Sequence, residues 1–308
     1  MPLITFALIT SLCFAALRSL LGNTEFADPS IAIDPHAADW YAFATQGNGK
    51  HVQVASSPLL YGPWTLLSSY DLLPIPGKWV DTSGPSPNYW APDVQYIQST
   101  QTFVLYYSAL RSDSRFHCVG VAISRGNITG PYTAHDEPFI CPLDGGGAID
   151  ASGYHNLRTW TRWVVYKVDG SAKGSGGPCG NADPPGQPTP IMLQHLNADD
   201  GFTLIGDPIT ILNRDPEVDG PLIEAPSLIR VSVRNDTDDE DEGGVFILFY
   251  SSHCWNTHEY DIKYATATDI RGPYTRRGTL LGRGAGNGGC LHQIDFEVDG
   301  SGKVTVVV

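Results

Sequence analysis

The chain has 308 residues, 42% of them hydrophobic, with 33 glycines and 23 prolines, enough to bury one large core or two smaller ones. Its formal net charge of −14 argues against nucleic acid or an anionic membrane as partner and suits a neutral ligand. Extended 3.6-residue periodicity is scarce and turn residues are frequent throughout, which makes the predicted fold class all-β.

An apolar run from Leu3 to Leu17 is broken by Arg18. It is too short to cross a bilayer and resembles the core of a secretory signal peptide, although no basic residue precedes it. The expectation is a signal peptide over residues 1–21, a single domain over residues 22–308, and a secreted, extracellular protein. Two glycosylation sequons, Asn127-Ile128-Thr129 and Asn235-Asp236-Thr237, agree with export. Cys13 would leave with the signal. The spacing of Cys118, Cys141, Cys179, Cys254 and Cys290 suits one or two disulfides and an odd thiol rather than a zinc cluster. Cys118 and Cys141 are the expected pair, since the short loop between them can close on itself.

From Asp28 onward the chain repeats itself. The first unit opens on Ala27-Asp28-Pro29, continues through the strand-like Trp40–Thr45 and Val52–Ser56, and reaches Gly62-Pro63-Trp64-Thr65. The second opens on Ala91-Pro92-Asp93 and runs through Phe103–Ala109 and Val119–Ser124 to Gly130-Pro131-Tyr132-Thr133. The third opens on Ala148-Ile149-Asp150 and contains Trp163–Lys167 and Ile191–His195; Asp200-Gly201-Phe202-Thr203 is its degenerate tetrapeptide. In the fourth, Glu224 lies in an apolar run and an acidic loop is inserted from Asn235 to Gly244. Phe246–Ser251, Ile262–Thr266 and Gly272-Pro273-Tyr274-Thr275 follow. The first two tetrapeptides begin 68 residues apart (62 to 130) and the last two 142 apart (130 to 272), twice 71, as a repeated supersecondary unit requires. Leu291-His292 and the strand Val304–Val308 begin a fifth unit that has no outer strands. Either the chain is truncated there or residues before Asp28 supply an outer strand.

Five units rich in β-branched and aromatic residues, each of four strands, predict a five-bladed β-propeller with an incomplete last blade. The innermost strands of a propeller converge on its axis, so Asp28, Asp93, Asp150, Glu224 and His292 should meet in space. A lectin propeller would repeat one sugar site in every blade. The differing inner residues here favour one composite site instead. Glu224, among apolar neighbours, is suited to hold a proton near neutrality and act as a general acid.

With these segments in order, the chain from Phe26 to Val308 resembles glycoside hydrolase family 43. Ala27-Asp28-Pro29-Ser30 resembles the family's general-base segment, Gly147-Ala148-Ile149-Asp150 that of the carboxylate tuning the acid, and Ile223-Glu224-Ala225-Pro226 that of the general acid. Tyr89-Trp90-Ala91-Pro92-Asp93-Val94 resembles the blade-two segment that lines the sugar site. Gly289-Cys290-Leu291-His292 stands where the family often carries an axial Gly-His pair associated with calcium or water. The resemblance implies inversion by Asp28, Asp150 and Glu224 on plant cell-wall pentose polymers. Arabinan or arabinose side chains rank first, with β-xylosides or a non-catalytic carbohydrate-binding propeller as the alternatives. Trp90 is expected to stack on a sugar, Asn88 and Asp93 to meet hydroxyls, and Arg283 to reach into the pocket. His292 is the expected metal residue, for a structural calcium; the chemistry itself requires no cofactor. The expected partner is a polysaccharide or oligosaccharide, with no nucleic acid and no membrane, and the chain is expected to be a monomer. Arg214-Asp215-Pro216 and Asp219 are set aside as turn residues.

Overall fold

In a computed structural model of the chain, the described residues are 21, 24–84, 88–231, 244–282, 295–298 and 304–307. They form four antiparallel four-stranded meanders and one two-stranded sheet. The first blade comprises β1 (Ser30–Ile33), β2 (Trp40–Ala44), β3 (Gln53–Ser57) and β4 (Thr65–Leu66). The second comprises β5 (Trp90–Ile97), β6 (Thr102–Leu110), β7 (His117–Arg125) and β8 (Thr133–Ala134). The third is β9 (Ala148–Asn156), β10 (Thr161–Val168), β11 (Ile191–Leu196) and β12 (Leu204–Leu212); the fourth is β13 (Ile223–Val231), β14 (Val245–Ser252), β15 (Asp261–Ala267) and β16 (Thr275–Gly282). β17 (Asp295–Val298) pairs with β18 (Val304–Val307). Inner strands β1, β5, β9 and β13 pack side by side in that order, and β17 lies against β1. This is an all-β propeller with four complete blades among the described residues.

Each repeated tetrapeptide makes the same turn. Gly62-Pro63, Gly130-Pro131 and Gly272-Pro273 are cis, with glycine φ of 87°, 95° and 91°, and each turn leads into the outermost strand of its blade. A Cβ on any of the three would press on the backbone nitrogen two residues ahead, at 3.1, 2.9 and 3.1 Å, which is why glycine opens the motif. The tyrosines of two copies tie the turn closed, Tyr132 and Tyr274 donating to the carbonyls of Ile128 and Ile270 at 3.0 and 3.1 Å. The degenerate third copy turns at Gly201, φ 73°, between β11 and β12.

The second strand of a blade buries both faces. On β6, Phe103, Leu105 and Tyr107 join a core with Phe43 and Val54 of the first blade, while Val104 and Tyr106 join another with Val164 and Tyr166 of the third. A comparable core links Val165 and Leu193 to Leu228, Leu248 and Tyr250 of the fourth. A fully buried side chain of this size stabilises by about 1.5–3 kcal/mol, and here that burial lies between blades, so each blade depends on its neighbours. Cys118 is joined to Cys141, as expected, with Cα atoms 4.8 Å apart. A second disulfide, Cys179–Cys254, links the loop after β10 to the loop after β14.

Candidate active site

The inner strands of the four complete blades start with the same irregularity. Asp28, Ala91, Asp150 and Ala225 have φ of 51°, 43°, 58° and 49°, a left-handed conformation that non-glycine residues adopt at a cost and that clusters at functional sites. In the second, third and fourth blades the register shifts at this point. The residue after it is Pro29, Pro92, Ala151 or Pro226. The equivalent positions one residue earlier are therefore Ala27, Trp90, Ile149 and Glu224.

Facing these, at the end of each second strand, stand Thr45, Ser108, Lys167 and Ser251. The backbone N–H of Thr45 donates to the Ala27 carbonyl at 3.0 Å, and Trp90, Ile149 and Glu224 pair with Ser108, Lys167 and Ser251. The hydroxyls brace the next blade: the N–H of Ala91 donates to Thr45 Oγ1 at 2.9 Å, and that of Asp150 to Ser108 Oγ at 3.0 Å. In the fourth blade the Ala225 N–H donates instead to Asp150 Oδ2 at 2.9 Å.

This lattice gathers Asp28, Asp150 and Glu224 at one end of the axis. The Asp28 carboxylate accepts the Thr45 hydroxyl. Glu224 accepts the Tyr260 hydroxyl on Oε1 at 3.0 Å and the Lys167 ammonium on Oε2 at 3.2 Å. Lys167 is 1% exposed and its ammonium also meets Asp169 Oδ1 at 3.0 Å; the Ser171 hydroxyl donates to that same oxygen. Burial pushes the Asp150 carboxyl up to about 8, the Glu224 charge adding to it, Lys167 opposing it and the Asp28 charge adding a smaller push. Burial works against the charge on Lys167, but Asp169, Glu224 and Asp150 outweigh it and hold the ammonium above its ordinary value. Burial likewise opposes the Asp169 charge, and Lys167 and Ser171 more than compensate, so this carboxyl lies below the usual range.

Trp90 occupies in the second blade the position that Glu224 holds in the fourth. Its partly exposed ring stacks on His117, with centroids 3.8 Å apart and planes at 19°. Burial pushes that imidazole down to about 4 against the pull of Asp169, which leaves it neutral at ordinary pH. Asn88, partly exposed and also left-handed at φ 54°, lies two residues before Trp90. Asp93 does not share the phase expected of it. It follows Ala91 by two residues, is 3% exposed, and accepts the Gly153 N–H at 2.6 Å and the Gln95 amide at 3.0 Å. It braces the second blade against the third and is withdrawn as a sugar contact. Arg283 and His292 lie outside the described residues. Among the described residues no group of three or more His, Cys, Asp or Glu could hold a metal ion.

Lys167, Asp169, Tyr260 and His117 are additions that linear reading missed. One signal was available: Lys167 closes the buried strand Trp163–Lys167, where Thr45, Ser108 and Ser251 close theirs. Glu224 is also less apolar in its surroundings than its own segment implied, because its donors come from β10 and from the loop before β15. Asp219, set aside as a turn residue, is fully buried and paired with Arg276 at 2.7 Å and Lys263 at 3.4 Å. Arg214 donates to the carbonyls of Pro185, Gln187 and Gly220, stapling two loops together.

The model of the family described as Glycosyl hydrolases family 43 matches residues 21–281. Arabinan endo-1,5-alpha-L-arabinosidase C from Emericella nidulans is 38% identical over 114 residues, 37% of this chain and 33% of that protein. Arabinan endo-1,5-alpha-L-arabinosidase A from Aspergillus aculeatus is 27% identical over 164 residues, 50% of this chain and 48% of that protein. The chain thus spans between about a third and a half of the length of these curated relatives. Among solved structures, a thermostable family-43 glycoside hydrolase superimposes with a TM-score of 0.67 at 21% identity, over 93% of this chain and 84% of that one. The endo-arabinase from Bacteroides thetaiotaomicron gives 0.65 at 18% identity, over 92% and 89%. What these structures share with the chain is the propeller fold.

Proposed function

Because the chain belongs to family 43 of the glycosyl hydrolases, we propose that it hydrolyses glycosidic bonds in arabinan or arabinose side chains, with inversion. The observation that carries this reading is the convergence of three carboxyl groups from three blades, the charges of Asp28 and Glu224 both bearing on buried Asp150. The names of the curated relatives support arabinan as the substrate.

Inverting hydrolysis needs one carboxylate to take a proton from water and one carboxylic acid to give a proton to the leaving oxygen. Asp28, oriented by the Thr45 hydroxyl, is the base. The Glu224 charge adds to the burial that keeps the Asp150 carboxyl protonated. Glu224, the partly exposed one of the two, delivers the proton, while Asp150, with one oxygen committed to the Ala225 N–H, stays buried and tunes it. Trp90 offers a ring face beside the site and Asn88 a polar side chain for sugar hydroxyls.

The reading extends to the whole chain. β17 and β18 are assigned to a fifth blade, supported by the contact of β17 with β1. Secretion draws support from the exposed side chain of Asn127 within its sequon. No described helix is long and apolar enough to cross a membrane. The substrate is a neutral polysaccharide or oligosaccharide acted on by a monomer.

The test is sugar release from linear arabinan beside hydrolysis of a nitrophenyl arabinofuranoside. Asp28→Ala should lower turnover about 100-fold or more on both, since both need activated water. Glu224→Ala should lose as much on arabinan but far less on the aryl glycoside, whose phenolate departs with little protonation. A Glu224→Ala variant as active as the parent on arabinan overturns the assignment.

A further inference from the structure

Three of the four complete blades close their second strand with a hydroxyl, Thr45, Ser108 or Ser251, and two of these hydroxyls brace the following inner strand. The third blade has Lys167 at the equivalent position, paired with Ile149. Its ammonium passes the backbone of β13 and reaches a side chain, Glu224 Oε2, at 3.2 Å. The bracing of Ala225 has passed to the Asp150 carboxyl oxygen Oδ2. A lysine with 1% exposure is costly to bury unless it is paired, and this one is paired on both sides, with Asp169 at 3.0 Å and Glu224.

We propose that Lys167 is a positioning residue for the proton donor: anchored by Asp169, it orients the Glu224 carboxyl and supplies the positive charge against which that carboxyl holds and releases its proton. The inference rests on Glu224 being the donor. Geometry supports the orienting role, since Lys167 and Tyr260 grip one Glu224 oxygen each, at 3.2 and 3.0 Å, from different blades. The electrostatic surroundings are defined on every side. Asp169 lies in the loop after β10, Asp150 on β9, Glu224 on β13, Tyr260 before β15 and Asp28 before β1, with His117 of β7, neutral at ordinary pH, near Asp169. In this group Lys167 is the cation that acts on Asp150 and Glu224 together.

The sign of its effect follows. An ammonium near a carboxyl favours the carboxylate, so removing it makes the proton harder to lose. In the full-length chain, Lys167→Met should move the alkaline limb of the kcat profile on arabinan upward by about one pH unit, and lower kcat about tenfold or more with little change in KM. The loss should be much smaller on the nitrophenyl glycoside. Lys167→Arg should keep the limb within a few tenths of a unit of the parent. Asp169→Asn should move the limb downward, because it removes an anion and leaves the ammonium free to act on Glu224; it also keeps the test decisive if Lys167→Met does not fold. Limbs that stay in place in folded Lys167→Met or Asp169→Asn, with equal losses on both substrates, overturn the inference. If Glu224→Ala is fully active on arabinan, the functional reading itself fails. If Glu224→Ala behaves as a donor-less enzyme while the Lys167→Met limb is unmoved, only the role of Lys167 fails.

Discussion

Asp150 carries three burdens at one position: a left-handed backbone at φ 58°, 8% exposure, and the charge of Glu224 nearby. A buried carboxyl whose folded-state value rises to about 8 stays protonated in the native chain after it has ionised in the unfolded one. Between about pH 4, where an ordinary aspartate titrates, and pH 8, the unfolded state therefore releases the proton first, and stability falls as pH rises. Asp150→Asn keeps an oxygen for the Ala225 N–H and removes the ionisation. It should raise Tm by at least about 2 °C at pH 8, a change of roughly 1 kcal/mol for a chain of this size, and leave Tm close to the parent at pH 4. Calorimetry at the two pH values checks this, and an equal Tm for parent and variant at pH 8 argues against a destabilising native carboxyl. Activity should fall in the same variant, the common cost of relaxing a destabilised active site.

At the scale of the element, what was readable from the sequence separates from what was not by the range of the contact. The Gly-Pro-aromatic-Thr motif could be found because its turn is made within one tetrapeptide, and so could the β-branched second strands. The pairing of Lys167 with Glu224 could not, since it spans 57 residues and depends on how two blades sit together. Asp93 was misplaced for a subtler reason. Taking it as the acidic residue of the segment that precedes its blade's buried second strand put it level with Asp28, but the residue level with Asp28 is Ala91, whose positive φ marks the bulge. Asp93 falls two places further along, inside the blade contact. The loops that frame the site were equally unreadable, because Cys179 meets Cys254 across 75 residues and the pairing has no local signature. This disulfide joins the loop after Lys167 to the loop before Tyr260, the two segments that supply the grip on Glu224. Chain-entropy reasoning gives it about 4.5 kcal/mol, against about 3.4 for the shorter Cys118–Cys141 loop. A Cys179→Ser/Cys254→Ser double variant should therefore melt earlier than Cys118→Ser/Cys141→Ser and lose more kcat on arabinan. Comparable melting losses with unchanged kcat in the first variant would separate that bridge from the site.

The whole molecule raises the question of how the ring closes. Each complete blade buries its second strand between neighbours, so an inner strand with no partner on one side exposes apolar surface and loses its lateral support. β1 is held by β5 and also touches β17. Asp28 lies two residues before β1, in a left-handed conformation that persists only where its surroundings impose it. The contact of β17 with β1 predicts a catalytic consequence for the strands after Gly282, although the described carboxyl cluster draws its side chains from the first, third and fourth blades. Ending the chain after Gly282 should lower Tm and reduce turnover on arabinan about as severely as Asp28→Ala, because the base loses its placement. The two defects differ on heating: Asp28→Ala should retain the parent's melting temperature within about 2 °C, whereas the shortened chain should not. Melting curves and arabinan hydrolysis on the two variants side by side decide the matter. A chain ending at residue 282 that melts with the parent and keeps its activity would mean that four blades close on themselves and that β17 and β18 lie outside the ring.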